Sequence, residues 1–150
     1  MRIFISHKDA DTKTALQISD YLRIRSIPCY LDVLDNNLEK GTETLTNHLK
    51  HELNKCSHLL TILSENTKKS WWVPFEIGMA SQRDLPIVNF LLEGIQLPEY
   101  LDYWPRLKRL SDLDKYILAL QKPKQELEKS FSTVNESYSS EFYKYLKSLL

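Results

Sequence analysis

The sequence predicts an α/β protein, a central parallel sheet of about five strands with helices on both faces, and three observations predict it. Short apolar runs rich in β-formers alternate with amphipathic stretches from the first residues to about residue 122. These runs are apolar at nearly every position, as strands covered on both faces must be. The length of 150 residues suits one domain, which buries roughly two-thirds of the surface its unfolded chain exposes. The architecture so defined is a flavodoxin-like sandwich.

Each element has its own signal. Ile3-Phe4-Ile5 reads as a buried strand. Asp11 or Thr12 is placed to cap a helix whose Ala15, Ile18 and Leu22 share one face. Pro28 ends the helical stretch, and Cys29-Tyr30-Leu31-Asp32-Val33 reads as a second strand. A polar connection closing at Gly41 leads to a helix striped by Leu45, Leu49 and Leu53. His58 to Leu63 is the third strand, and Ser64 to Ser70 is a polar loop. A helix from about Trp72 to Arg83 tolerates Pro74 because it falls in the first turn. Leu85 to Leu91 is the fourth strand, and a short edge strand is expected within Leu107–Leu110. Ser111 with Asp114 has the form of a capping box before a helix striped by Leu113, Tyr116, Ile117 and Leu120. Residues 123–137 read as a polar linker. Beyond it Tyr138, Phe142, Tyr145 and Leu149 mark the docking stripe of a C-terminal helix. The division expected is therefore residues 1–122 as the domain and 123–150 as linker and helix, packed on the domain or on a second subunit.

Composition removes several classes. Twenty basic and twenty acidic residues cancel, so the surplus of cations that sequence-independent nucleic-acid binding needs is missing, and no nucleic-acid partner is expected. Apolar runs stay short of the ~20 residues of a membrane span, and Met1 leads straight into Arg2-Ile3-Phe4 without a signal-peptide pattern. Cys29 and Cys56 form no C-x-x-C pair. The expectation is a cytoplasmic protein with no disulfide and no membrane partner.

Ligands of parallel α/β sheets sit outside the carboxyl ends of the strands, which directs attention to His7–Asp11, Leu34–Gly41 and Ser64–Trp71. The only glycines are Gly41, Gly78 and Gly94, so neither a G-x-G-x-x-G fingerprint nor a Walker loop exists. His48 and His51 stand beside Glu52, but the order H-x-x-H-E is not that of a zinc helix and a third ligand is lacking; a solvated face is the expected role, with no metal. Nothing has the form of a nucleophile elbow or a Cys–His pair.

Three segments together resemble the TIR (Toll/interleukin-1 receptor) domain family in its prokaryotic form, over roughly residues 2–122. Ile3-Phe4-Ile5-Ser6-His7-Lys8-Asp9 resembles its opening strand and loop. Tyr30-Leu31-Asp32 with a polar loop closing at Gly41 resembles its second strand and the long loop after it. The most specific segment is Leu60-Thr61-Ile62-Leu63-Ser64 followed by Ser70-Trp71-Trp72-Val73-Pro74-Phe75-Glu76. There Ser70, Trp72, Val73 and Glu76 match the pattern S-x-W-[CV]-x-x-E. The sequence departs in the loop of residues 34–41, which lacks the Pro-Gly pair of animal adaptors, and in the late Phe-Trp motif, which Tyr103-Trp104 only echoes.

The resemblance implies a nucleosidase that cleaves NAD⁺ as substrate, with no cofactor, and Glu76 as its catalytic carboxylate. The chemistry is consistent with a single acid. Cleavage from the anomeric carbon passes through an oxocarbenium-like state. Nicotinamide leaves as a neutral molecule, so no second carboxyl must protonate it. The plainer alternative is a surface glutamate favoured by the helix dipole. For Trp71 and Trp72 the alternatives are packing between helix and sheet or a wall on which a base stacks for ~1–3 kcal/mol. Ser6, His7 and Lys8 follow the first strand, where ribose or diphosphate would lie; His7 is either a general base or a loop histidine at the family's aromatic position. Asp32 either holds its loop or meets the ligand, and Lys8 and Lys40 are the cations expected at the phosphates. Hydrolysis and cyclisation remain open, as does the family's setting: anti-phage defence, or a nucleotide signal read by a separate effector protein. Homo-oligomers through TIR–TIR contacts are implied too, and activity is expected to depend on them. A non-catalytic TIR–TIR interaction module is the alternative, and a deoxyribosyltransferase-like enzyme a third reading.

Overall fold

The computed structural model describes residues 1–31, 42–67, 72–96, 99–123, 126 and 137–150, without the side chains of Thr42, Glu43, Leu45, Trp72 and Tyr100. Its strands are β1 (Ile3–Ser6), β2 (Cys29–Leu31), β3 (His58–Leu63), β4 (Ile87–Leu91) and β5 (Arg106–Leu107). They form one parallel sheet in the order β2-β1-β3-β4-β5, the flavodoxin-like order. Proline sets three of the starts. Pro28, Pro86 and Pro105 stand immediately before β2, β4 and β5, where a missing N–H costs nothing. Each lends its carbonyl to the neighbouring strand, at 2.9 Å from the N–H of Ile3, Leu59 and Asn89.

The described helices are α1 (Thr12–Ile24), α2 (Thr42–Asn54), α3 (Trp72–Gln82), α4 (Asp112–Gln121) and α5 (Tyr138–Leu149). Alternation along the strands divides their apolar side chains between two cores. Ile3, Ile5, Leu60, Ile62, Val88 and Phe90 face α1, α4 and α5. Phe4, Leu59, Leu63 and Ile87 face α2 and α3. The expected stripes Ala15-Ile18-Leu22 and Leu113-Tyr116-Ile117-Leu120 are buried, as are Leu49 and Leu53. Cys29 and Cys56 are free, buried thiols in opposite cores. Burial pushes the Cys29 thiol up to about 11, so it stays protonated and unreactive. No described helix is long and apolar enough to cross a membrane.

Several local expectations are corrected. Asp11 occupies the position before α1, but its side chain makes no cap. Ser111 likewise makes no side-chain cap to α4. Instead Asp112 Oδ2 accepts the N–H groups of Lys108 (2.8 Å) and Arg109 (3.0 Å), folding the backbone out of the sheet. For that reason β5 ends at Leu107 rather than reaching Leu110. Asp114 faces α1, where it accepts from Tyr21 Oη at 2.9 Å and pairs with Arg25 at 3.1 Å.

In α5 the buried residues are Ser139, Glu141, Phe142, Tyr143 and Leu146, one step round from the stripe the sequence suggests, of which Phe142 is buried and Tyr145 packs at the core's margin. The step has a cause. Tyr143 is drawn inward because its hydroxyl accepts the Ile87 N–H at 2.9 Å and donates to the Leu85 carbonyl at 3.4 Å. Phe142 meets Tyr116 edge-on and lies against His58 at 5.4 Å between centroids. Ser137 caps the helix, accepting from Ser140 N, and both Ser137 and Ser139 donate to Asp84.

Candidate functional site

Strand period two places Ser6 on the same sheet face as Phe4, under α3. Ser6 pairs in register with Thr61, and Thr61 with Asn89. Three polar side chains therefore lie side by side across β1, β3 and β4 on a face otherwise apolar. Above them, Val73, Ile77 and Ala80 form the inner stripe of α3 at i, i+4 and i+7. Glu76 sits at i+3 of that stripe, so helical geometry turns its carboxylate inward. The side chain is 1% exposed, and its Oε2 accepts a hydrogen bond from Ser6 Oγ. The plainer reading of Glu76 as a surface glutamate is set aside by this burial. A carboxylate placed so deep persists only where hydrogen bonds stand in for water.

The rest of the band is satisfied internally. Thr61 Oγ1 donates to Asn89 Oδ1 at 2.6 Å, and Asn89 Nδ2 donates to the Leu101 carbonyl at 3.4 Å. Asn89 and Thr61 read in the sequence as members of apolar runs. The one signal available was that both interrupt those runs at in-facing positions.

A second buried polar cluster lies at the carboxyl edge. Asp11 Oδ2 accepts from Ser64 Oγ at 2.5 Å, and Asp11 Oδ1 accepts from Asn66 Nδ2 at 3.2 Å. Thr67 Oγ1 accepts the Ser64 N–H at 2.9 Å and donates to the Ile62 carbonyl. This ties the loop after β1 to the loop after β3, which fixes the two edges between which Ser6 and Glu76 stand. Sequence reasoning missed it, because an aspartate before a helix reads first as a cap.

Of the other expected site residues, His7 is half-buried with its Nε2 3.3 Å from Thr12 Oγ1, and Lys8 is half-buried in the same loop. Ser6, His7, Lys8 and Glu76 thus gather at the carboxyl end of β1. Asp32, Lys40 and Trp71 lie outside the described residues, as does the side chain of Trp72. Both histidines of α2 are exposed. His48 Nε2 lies 3.1 Å from Tyr30 Oη, and Glu52 pairs with Lys55 (2.6 Å) and Arg2 (3.4 Å). Among the described residues no cluster of metal-ligating side chains exists.

A five-stranded parallel sandwich with a hydrogen-bonded carboxylate under one helix at its carboxyl edge is an α/β protein of the flavodoxin-like type. The family is narrower than the class: the TIR domain model matches residues 3–129, and the chain belongs to that family. Among curated proteins it is similar to a "Probable 3' cyclic ADP-D-ribose synthase ThsB'" of Bacillus cereus (strain MSX-D12), 28% identical over 79 residues. That match covers 51% of this chain and 41% of the relative, so the chain spans less than half the length of the curated relative it matches. Among solved structures it is similar to the TIR domains of an activated Roq1 resistosome recognising the effector XopQ, with a TM-score of 0.49 and 13% identity. The likeness covers 97% of this chain and 83% of that one.

Proposed function

We propose that this protein cleaves NAD⁺ between nicotinamide and ribose, with Glu76 stabilising the cationic sugar. The observation that carries the reading is the Glu76 carboxylate, buried at the carboxyl edge of the sheet and oriented by Ser6 Oγ. In the reaction the bond from the anomeric carbon to the pyridinium nitrogen breaks, and its electron pair leaves with neutral nicotinamide. The ribosyl cation left behind is trapped by water, which loses a proton and gives ADP-ribose. Alternatively it is trapped by an oxygen or nitrogen of the same molecule, giving a cyclic ADP-ribose. A fixed carboxylate in a dry site stabilises that developing charge without rearranging when the charge appears. Ser6 is the positioning residue, since its hydrogen bond to Oε2 fixes the orientation of the Glu76 carboxylate.

Membership of the TIR family and the similarity to a cyclic ADP-ribose synthase support this class of substrate. The reading extends to the expected setting, a nucleotide signal or NAD⁺ depletion in prokaryotic anti-phage defence. The test is incubation of the purified protein with NAD⁺ and chromatography of the products. Free nicotinamide is expected, with ADP-ribose or a cyclic isomer beside it. Glu76→Gln, which keeps shape and hydrogen bonding but removes the charge, is expected to lower the rate by about two to three orders of magnitude. Turnover unchanged in Glu76→Gln would sink this mechanism.

A further inference from the structure

The carboxyl edge carries a second feature, two strands away from Ser6 and Glu76. A cavity of about 280 Å³ opens where β4 and β5 end, lined by Leu91, Leu92, Gly94, Ile95, Lys108 and Arg109. Part of its lining packs on the same core as the site already described. Leu91 and Ile95 pack on the core beneath α3, and Leu91 is two residues beyond Asn89, which lies in register with Thr61 and through it with Ser6. The step from Ser6 is therefore two inter-strand spacings, about 10 Å, and two residues along the strand, about 7 Å. That is the reach of the part of a dinucleotide beyond its nicotinamide ribose.

The chemistry of the lining is equally specific. Lys108 and Arg109 are exposed, and among the described residues neither side chain has a carboxylate partner or a hydrogen bond. Their backbone N–H groups are held by Asp112, so the two cations are presented from a pinned turn. Glu93 lines the same cavity. Gly94 turns the loop with φ +79°, a conformation that L side chains rarely adopt. We propose that this cavity binds a nucleoside diphosphate, the ADP portion of the substrate or product. Lys108 and Arg109 hold the phosphates, Glu93 accepts from ribose hydroxyls, and Leu91, Leu92 and Ile95 form the apolar floor. Charge-assisted bonds from a guanidinium and an ammonium supply the attraction that a missing glycine-rich cradle does not.

The inference rests on the NAD⁺-cleavage reading for its link to turnover, and binding tests it separately. Calorimetric titration of ADP-ribose into wild type and Lys108→Glu/Arg109→Glu is expected to show affinity lower in the variant by on the order of tenfold or more. Adenosine, which lacks phosphate, should bind both proteins alike. Lys108→Gln/Arg109→Gln should fall between, and because all these positions are exposed the melting temperature should not move. In turnover, the charge reversal should raise KM for NAD⁺ about tenfold with kcat nearly unchanged, and leave nicotinamide riboside cleavage as in wild type. ADP-ribose bound equally by wild type and variant, or by neither, overturns the subsite. Binding that depends on the cations in a protein that releases no nicotinamide keeps the subsite and removes the enzyme.

Discussion

Position along an element, more than residue type, decides what individual side chains do here. Glu76 is buried because it falls at i+3 on a stripe whose other members are Val73, Ile77 and Ala80. Tyr116 is the counter-case. Its ring fills the core between α4 and α5, but its hydroxyl has no hydrogen-bond partner among the described residues. Burial also holds that phenol well above its ordinary pKa. A buried unpaired hydroxyl costs about 1–3 kcal/mol. Tyr116→Phe, which removes only the oxygen, is therefore expected to raise stability by about 1 kcal/mol, read as a higher melting temperature; a clear decrease would show that the hydroxyl is satisfied.

His58 is the other residue whose environment makes a measurable prediction. It starts β3, lies against Phe142 and Tyr138, and is buried. Burial first, and the N-terminal charge second, press its pKa down to about 4 from 6.5. The unfolded imidazole takes up its proton as pH falls through about 6.5, whereas the folded one resists until about 4. The unfolded state thus binds more protons across that window, and stability falls on acidification. Between pH 7 and pH 5 the wild type is expected to lose roughly 2 kcal/mol more than His58→Phe in urea unfolding. Parallel pH profiles of the two proteins would remove His58 from the account.

At the scale of elements, α5 shows how a helix outside the alternating pattern is attached. Phe142 and Leu146 give it an apolar face, and Tyr143 reaches the backbone of Leu85 and Ile87. Its N-terminus is fixed by Asp84, which sits at φ +52° and accepts from Ser137 and Ser139. Asp84→Ala removes the acceptor and places a methyl-bearing residue in a left-handed conformation, at a combined cost of about 2–3 kcal/mol. Hydrogen exchange should accelerate in α5 before it does in α1. Asp84→Asn, which tolerates the backbone and keeps one acceptor, should recover most of the protection. Equal acceleration across α1 and α5 would mean that α5 is not a separable unit.

For the whole molecule, the site stands where parallel sheets place ligands, but the described chain covers it. Glu76 is 1% exposed in the single chain, so contact with a ribose requires the surroundings to move. We propose that association of copies through TIR–TIR contacts supplies that change. Nicotinamide release per milligram of protein is then expected to rise with protein concentration at saturating NAD⁺, by several-fold across the range where oligomers form. A specific activity that stays constant while light scattering reports dissociation to monomers would end this proposal.

The sequence by itself determined the fold class, because short runs such as Ile87-Val88-Asn89-Phe90-Leu91, apolar at all but one position, alternate with amphipathic stretches, as strands covered on both faces do. Pro28 marked where the second strand starts, and the Trp-x-x-x-Glu segment marked Glu76 as the residue to follow, whereas the fourth and fifth strands, read from Leu85 and Leu107, start at Ile87 and Arg106, each just after a proline. What only the tertiary structure decided was pairing. Nothing local distinguishes an Asp11 that caps a helix from one that binds Ser64 and Asn66 across 53 and 55 residues. The band Ser6–Thr61–Asn89 exists only once register sets three distant strands side by side. Period and propensity are properties of neighbours along the chain, whereas the partner of a buried polar group is chosen by the packing of segments far apart.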